Sequence, residues 1–150
     1  MHLSSINPNN NKSYKIPKVL DDSKNIEIFL NENREKKVVV VQGLGFVGAV
    51  MSLVCANSNF ADYAVIGVDL PNENSYWRIA SINEGVFPLI SSDKKVYKLF
   101  EETRRKKNFY ATYDSFAYSK ADIIIIDINL DVNKKTDFYG NLTDFNIDMQ

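Results

Sequence analysis

A doubly wound α/β sheet, with parallel strands and helices on both faces, is the fold class this sequence predicts. Three observations carry it. Four valines, Val38 to Val41, run directly into a glycine-rich turn and a small-residue apolar segment, Ala49 to Ala56. Two further apolar runs, Tyr63 to Val68 and Ala121 to Ile128, read as buried strands. Segments with helical spacing separate these runs, and strands alternating with helices give a parallel sheet.

Residues 1–22 are rich in Asn, Ser and Lys and contain Pro8 and Pro17. They are expected to form an irregular N-terminal arm. Residues 23–150 are expected to form the domain. Ser23 is placed as the cap of a helix in which Ile26, Phe29 and Leu30 recur at helical spacing, ending near 34–37. The first sheet strand follows over about 37–42, a helix over about 46–58, and a second strand over about 63–69. Pro71 opens a connection, and a short helix is expected over 74–82, broken by Gly85 and Pro88. Asp93 caps a helix that runs to about Lys107. Its basic end, Arg104 to Lys107, complements the helix dipole. Phe109 to Tyr113 reads as a third strand. The four isoleucines Ile123 to Ile126 read as a central strand buried on both faces.

Between the valine strand and the next helix lies Gly43-Leu44-Gly45-Phe46-Val47-Gly48. A strand, a Gly-x-Gly-x-x-Gly turn and a helix start form the dinucleotide-binding fingerprint. Gly43 permits the tight turn, Gly45 lets a pyrophosphate approach the backbone, and Gly48 lets the helix pack closely. The helix N-terminus offers free N–H groups and a partial positive charge. Asp69 ends the second strand about 20 positions past the last glycine, where an acid accepts hydrogen bonds from the adenosine ribose. A carboxylate there repels the 2′-phosphate of NADP, so NAD is the expected cofactor. The fold is therefore expected to be Rossmann-like. Four strands are counted, whereas a complete sheet of this kind has six. The chain is expected to be a fragment that ends before the second mononucleotide half is complete.

Composition narrows the function. At 150 residues with 45% hydrophobic content, the chain has the length of one domain and the material for a core. A net charge of −1 gives no reason to expect nucleic acid or an anionic membrane as partner. The single cysteine, Cys55, falls in the apolar face of the first sheet helix and reads as a structural thiol. The single histidine, His2, lies in the polar arm, so neither a metal site nor a Cys–His pair is expected. No apolar run approaches the roughly 20 residues of a membrane span, and no signal peptide is visible. A cytoplasmic location is the default expectation. A parallel sheet with an open edge invites a homodimer.

Four stretches give the sequence a family resemblance. They are VVVVQGLGFVG (Val38 to Gly48) and VIGVD (Val65 to Asp69). The others are Ile82-Asn83-Glu84-Gly85 with Pro88, and Ala111-Thr112-Tyr113-Asp114 followed by Lys120-Ala121-Asp122 and the isoleucines. With them, residues 37–131 resemble the UDP-glucose/GDP-mannose dehydrogenases, the nucleotide-sugar 6-dehydrogenases. Two departures stand out. The Val-x-Thr-Pro turn of many members is replaced by Ile128-Asn129-Leu130-Asp131, and a Glu-Pro-Gly segment by Leu89 to Asp93.

The resemblance implies NAD held by Gly43, Leu44, Gly45, Phe46, Val47, Gly48 and Asp69, with the backbone of Ile128 and Asn129 facing the cofactor. It implies a UDP-sugar substrate for the full-length protein, whose C6 alcohol is oxidised to a carboxylate with two NAD. The family's catalytic cysteine and lysine lie in later segments, so no catalytic residue is expected in this chain, and Cys55 does not match the family's position. The alternative is a nicotinamide-dinucleotide-binding regulatory or redox-sensing module without chemistry of its own.

Overall fold

The computed structural model describes residues 3–128 and 131–148. Its centre is a four-stranded parallel sheet. The chain enters through a small antiparallel hairpin, β1 (Ser4–Ile6) and β2 (Ser13–Lys15), and then helix α1 (Ser23–Glu32). Next come β3 (Lys37–Gln42), α2 (Phe46–Ala56), β4 (Tyr63–Val68), α3 (Tyr76–Asn83) and α4 (Lys94–Lys106). The sheet is completed by β5 (Phe109–Thr112), a 3-10 turn over Ser115–Lys120, and β6 (Ile123–Ile126). A separate antiparallel hairpin, β7 (Asp131–Thr136) and β8 (Leu142–Asp148), follows.

Strand order is β5-β4-β3-β6, all parallel. This corresponds to the first four strands of the order 3-2-1-4-5-6. Alternation along the strands makes two cores. Val40, Ala64, Ile66 and Val68 face α1 through Ile26 and Phe29. Val39, Val41 and Val65 face the opposite way, toward Ala56 of α2. Leu44, Leu53, Val96 and Phe100 join α2 and α4 beneath the turn after β3. The valine run is buried on both faces because helices cover both.

Three sequence expectations need correction. β6 is not a central buried strand. Among the described residues it pairs only with β3, at the edge of the sheet, and Ile123, Ile124 and Ile126 are 42%, 49% and 65% exposed. A run of β-branched residues reports strand propensity, but burial on both faces needs a neighbour on each side. The arm over 1–22 contains an ordered hairpin, held by polar side chains rather than by the apolar alternation that announces a strand. The N-cap of α1 is Asp22, not Ser23. The Asp22 carboxylate is drawn into the sheet instead, accepting from Tyr110 Oη at 2.8 Å and Thr112 Oγ1 at 2.6 Å.

The expected features of α4 are present. Asp93 caps α4 by accepting from the Lys95 N–H at 2.9 Å. The basic end of α4 terminates in a left-handed residue, Lys107, at φ +53°. Cys55 is half-buried beside the Val39–Val65 core, and burial pushes its thiol pKa up. No helix among the described residues is long and apolar enough to cross a membrane.

Candidate functional site

The site forms where the carboxyl ends of β3, β4, β5 and β6 meet the turn into α2. Gly43 leaves β3 at φ +93°, and its N–H donates to Val68 O at 2.8 Å. A Cβ at Gly43 would lie 2.0 Å from the carbonyl oxygen of Asp127, so the turn passes directly over the end of β6. Leu44 has two tasks. Its side chain is fully buried in the core, and its N–H donates to Asp69 Oδ2 at 3.1 Å. Gly45 is the N-cap of α2, and among the described residues no side chain caps that helix. Its missing Cβ would meet nothing within 4 Å. Gly48 is the opposite case: a Cβ there would lie 1.9 Å from Gly43 O. The three glycines thus turn the chain, leave an open approach to an uncapped helix start, and dock that helix on the turn.

Asp69 follows β4 and is largely enclosed, with its side chain 11% exposed. Its Oδ1 accepts from the Leu70 N–H at 2.8 Å. Its Oδ2 accepts from Leu44 and from Arg78 Nη1 at 3.2 Å. Arg78 projects from α3, with Nη1 also 3.5 Å from Ser75 Oγ. Its guanidinium lies over the Trp77 ring, 5.3 Å from the centroid. Arg78 Nε is buried and has no hydrogen-bond partner among the described residues, which leaves a donor at the site unused.

These groups border a cavity of about 560 Å³. Gly43, Leu44 and Gly45 form one wall, Asp69, Leu70, Ser75 and Arg78 a second, and Tyr113, Ser115, Tyr118 and Ile128 a third. Burial, and then the Asp22 charge, pushes the Tyr113 phenol up to about 12. Burial, and then the Asp69 charge, raises Tyr118. Both phenols therefore stay neutral at physiological pH. The donor set suits a dinucleotide: open space and an uncapped helix N-terminus for an anionic pyrophosphate, and a carboxylate with a guanidinium for a polyol. A second cavity, about 340 Å³, opens between the ends of α1, α3 and α4 and contains none of the predicted site residues.

Of those predicted residues, Gly43, Leu44, Gly45, Asp69 and Ile128 line the larger cavity. Phe46, Val47 and Gly48 form the first turn of α2 beside it, with the Phe46 and Val47 side chains 56% and 57% exposed. Asn129 lies outside the described residues. Sequence reasoning missed Arg78, Ser75, Tyr113 and Tyr118. Arg78 carried a weak signal, as the one basic residue in the helix expected over 74–82. The tyrosines carried none, because their place depends on how β5 ends.

A glycine turn into a helix start at the carboxyl edge of a parallel sheet, with an acid ending the next strand, defines a Rossmann-like dinucleotide-binding domain. Residues 36–146 match the UDP-glucose/GDP-mannose dehydrogenase family, NAD binding domain, and the chain belongs to that family. Its cofactor is accordingly NAD. No match is found among curated proteins. Among solved structures, the fold is similar to that of NDP-N-acetyl-D-galactosaminuronic acid dehydrogenase from Methanosarcina mazei Go1, with a TM-score of 0.58 and 24% identity. The match covers 70% of this chain and 22% of that one, so this chain spans about a fifth of that protein's length.

Proposed function

We propose that this chain is the NAD-holding part of a nucleotide-sugar dehydrogenase that oxidises the C6 alcohol of a UDP-sugar to a carboxylate. The single observation that carries the reading is the cavity itself. It brings the open turn at Gly45 and the enclosed Asp69 carboxylate to one wall-to-wall space at the carboxyl ends of the strands.

Bound NAD supplies the hydride acceptor, and two are consumed per alcohol taken to carboxylate. The residues of this chain bind and orient. The first-turn N–H groups of α2 face the pyrophosphate across Gly45. Asp69 accepts from an adenosine ribose hydroxyl through the lone pair on Oδ1 that Leu70 leaves free, because Leu44 and Arg78 already engage Oδ2. Arg78 holds the Asp69 carboxylate in place for that ribose through Nη1. Ile128, just past the end of β6, borders the cofactor. Residues 23–150 act as the cofactor domain of a longer polypeptide, which is soluble, cytoplasmic and dimeric.

The test is stoichiometric. A protein that contains this domain should release two NADH per UDP-sugar oxidised, and the 150-residue chain alone should release none. Turnover by the isolated chain would refute the division of labour. NAD binding with no sugar oxidation by any longer form would favour the regulatory module instead.

A further inference from the structure

The N-terminal hairpin lies outside the family match, which begins at residue 36, yet its polar side chains bind α3 and its flanking residues at several points. Ser5 is fully buried. Its Oγ accepts from the Trp77 N–H at 3.0 Å and donates to Glu73 O at 2.7 Å. The N–H of the second residue of a helix is the one a capping side chain ordinarily takes. Ser75 holds the N-cap position of α3, but its side chain makes no cap bond. Its hydroxyl faces Arg78 Nη1 in the cavity instead. Further along, Asn7 Nδ2 donates to Ser81 Oγ at 3.3 Å, and Lys12 pairs with Glu84 at 2.6 Å. The hairpin therefore grips α3 from its first turn to its last.

We propose that Ser5 is a positioning residue for the adenosine side of the cofactor site. It caps α3 from 72 positions away, frees Ser75 to face the cavity, and so fixes the Asp69–Arg78 pair. The inference rests on the reading that this pair receives the adenosine ribose. Without the cap, the first turn of α3 opens in the free protein, and a ligand that needs Arg78 in place binds less tightly by the population lost.

The test is a double-mutant cycle read with AMP and with NAD⁺. Ser5→Ala should weaken both ligands, by up to about fivefold, the factor one lost helix cap is worth, and should have no further effect in an Arg78→Ala background. A merely structural role would not be erased by removing Arg78. Unchanged affinity in Ser5→Ala, or the same loss in both backgrounds, would overturn the proposal. Hydrogen exchange in the unsubstituted protein gives a readout that does not depend on the variant folding. The Trp77 amide should be protected without ligand, and a freely exchanging Trp77 amide would overturn the proposal as well. If AMP fails to bind the unsubstituted protein, or binds Asp69→Ala equally well, the ribose reading falls and the Ser5 proposal with it. A normal Asp69 effect with no Ser5 effect would sink the proposal alone.

Discussion

Replacing Gly45 or Gly48 by alanine adds the same methyl group three residues apart, and the structure predicts opposite consequences. At Gly48 the added carbon would lie 1.9 Å from Gly43 O and 3.0 Å from Gly43 C. Ordinary contact begins near 3.4 Å, and both atoms are backbone, so the turn must open or the helix must lift. Overpacking of this kind costs about 1–3 kcal/mol. At about 2–4 °C per kcal/mol for a chain of this size, Gly48→Ala should melt about 2–12 °C lower. At Gly45 the added carbon meets nothing within 4 Å, and the residue sits at φ −63°. Its melting temperature should move by no more than about 2 °C, since Gly and Ala differ little here beyond the cap preference. NAD⁺ affinity should nevertheless fall at least about tenfold, or about 1.4 kcal/mol, because the methyl occupies the approach to the helix start. Melting followed by circular dichroism and calorimetric titration separate the two effects. A stable Gly45→Ala with undiminished NAD⁺ binding would refute the assignment of this turn to the pyrophosphate. An unshifted Gly48→Ala would refute the close docking of α2.

Two further outcomes follow from the charges around the site. Asp127 Oδ2 lies only 3.1 Å from where a Gly48 Cβ would be, so a negative charge stands beside the same helix start that would draw a pyrophosphate. Asp127→Asn should tighten NAD⁺ binding about fivefold, on the order of 1 kcal/mol for one charge at a helix terminus; weaker binding in calorimetry would contradict this. The second concerns pH. Burial, and then the hydrogen bond to Asp22, pushes Tyr110 far above the usual phenol range, and Tyr113 rises to about 12. Their raised folded-state values mean that their contribution is complete below about pH 10, where unfolded phenols remain protonated. It is lost as pH rises above that value, since the unfolded chain then releases protons that the folded one retains. Chemical denaturation should show stability falling between pH 10 and 12, and Tyr110→Phe should flatten that fall.

The parts of this molecule legible in its sequence are those whose residue types serve one purpose. Val38 to Val41 could only be a strand covered on both sides, and the glycines at 43, 45 and 48 each answer to a distinct steric demand. Asp69 was legible because it ends an apolar run at a fixed distance from the turn. Ile123 to Ile126 misled because composition fixes strand propensity and not how many neighbours a strand has. The hairpin over 4–15 was hidden for a different reason. It is held by Ser5, Asn7 and Tyr14 reaching residues about 70 positions away, and such contacts leave no local periodicity. Arg78 was missed because its value comes from how α3 packs on β5, which sets its guanidinium 3.2 Å from Asp69. Ser23 was misread as a cap because Asp21 and Asp22 compete for the same role, and Asp22 is claimed by Tyr110 and Thr112.

The central claim is that this cavity holds NAD with its adenosine ribose at Asp69. Calorimetric titration of the chain with NAD⁺ and with NADP⁺, beside an Asp69→Ala variant, tests it most directly. The account predicts micromolar to sub-millimolar NAD⁺ binding, at least about tenfold tighter than NADP⁺, and lost in the variant. NAD⁺ binding that survives the loss of the Asp69 carboxylate, or no binding of either dinucleotide, would contradict it.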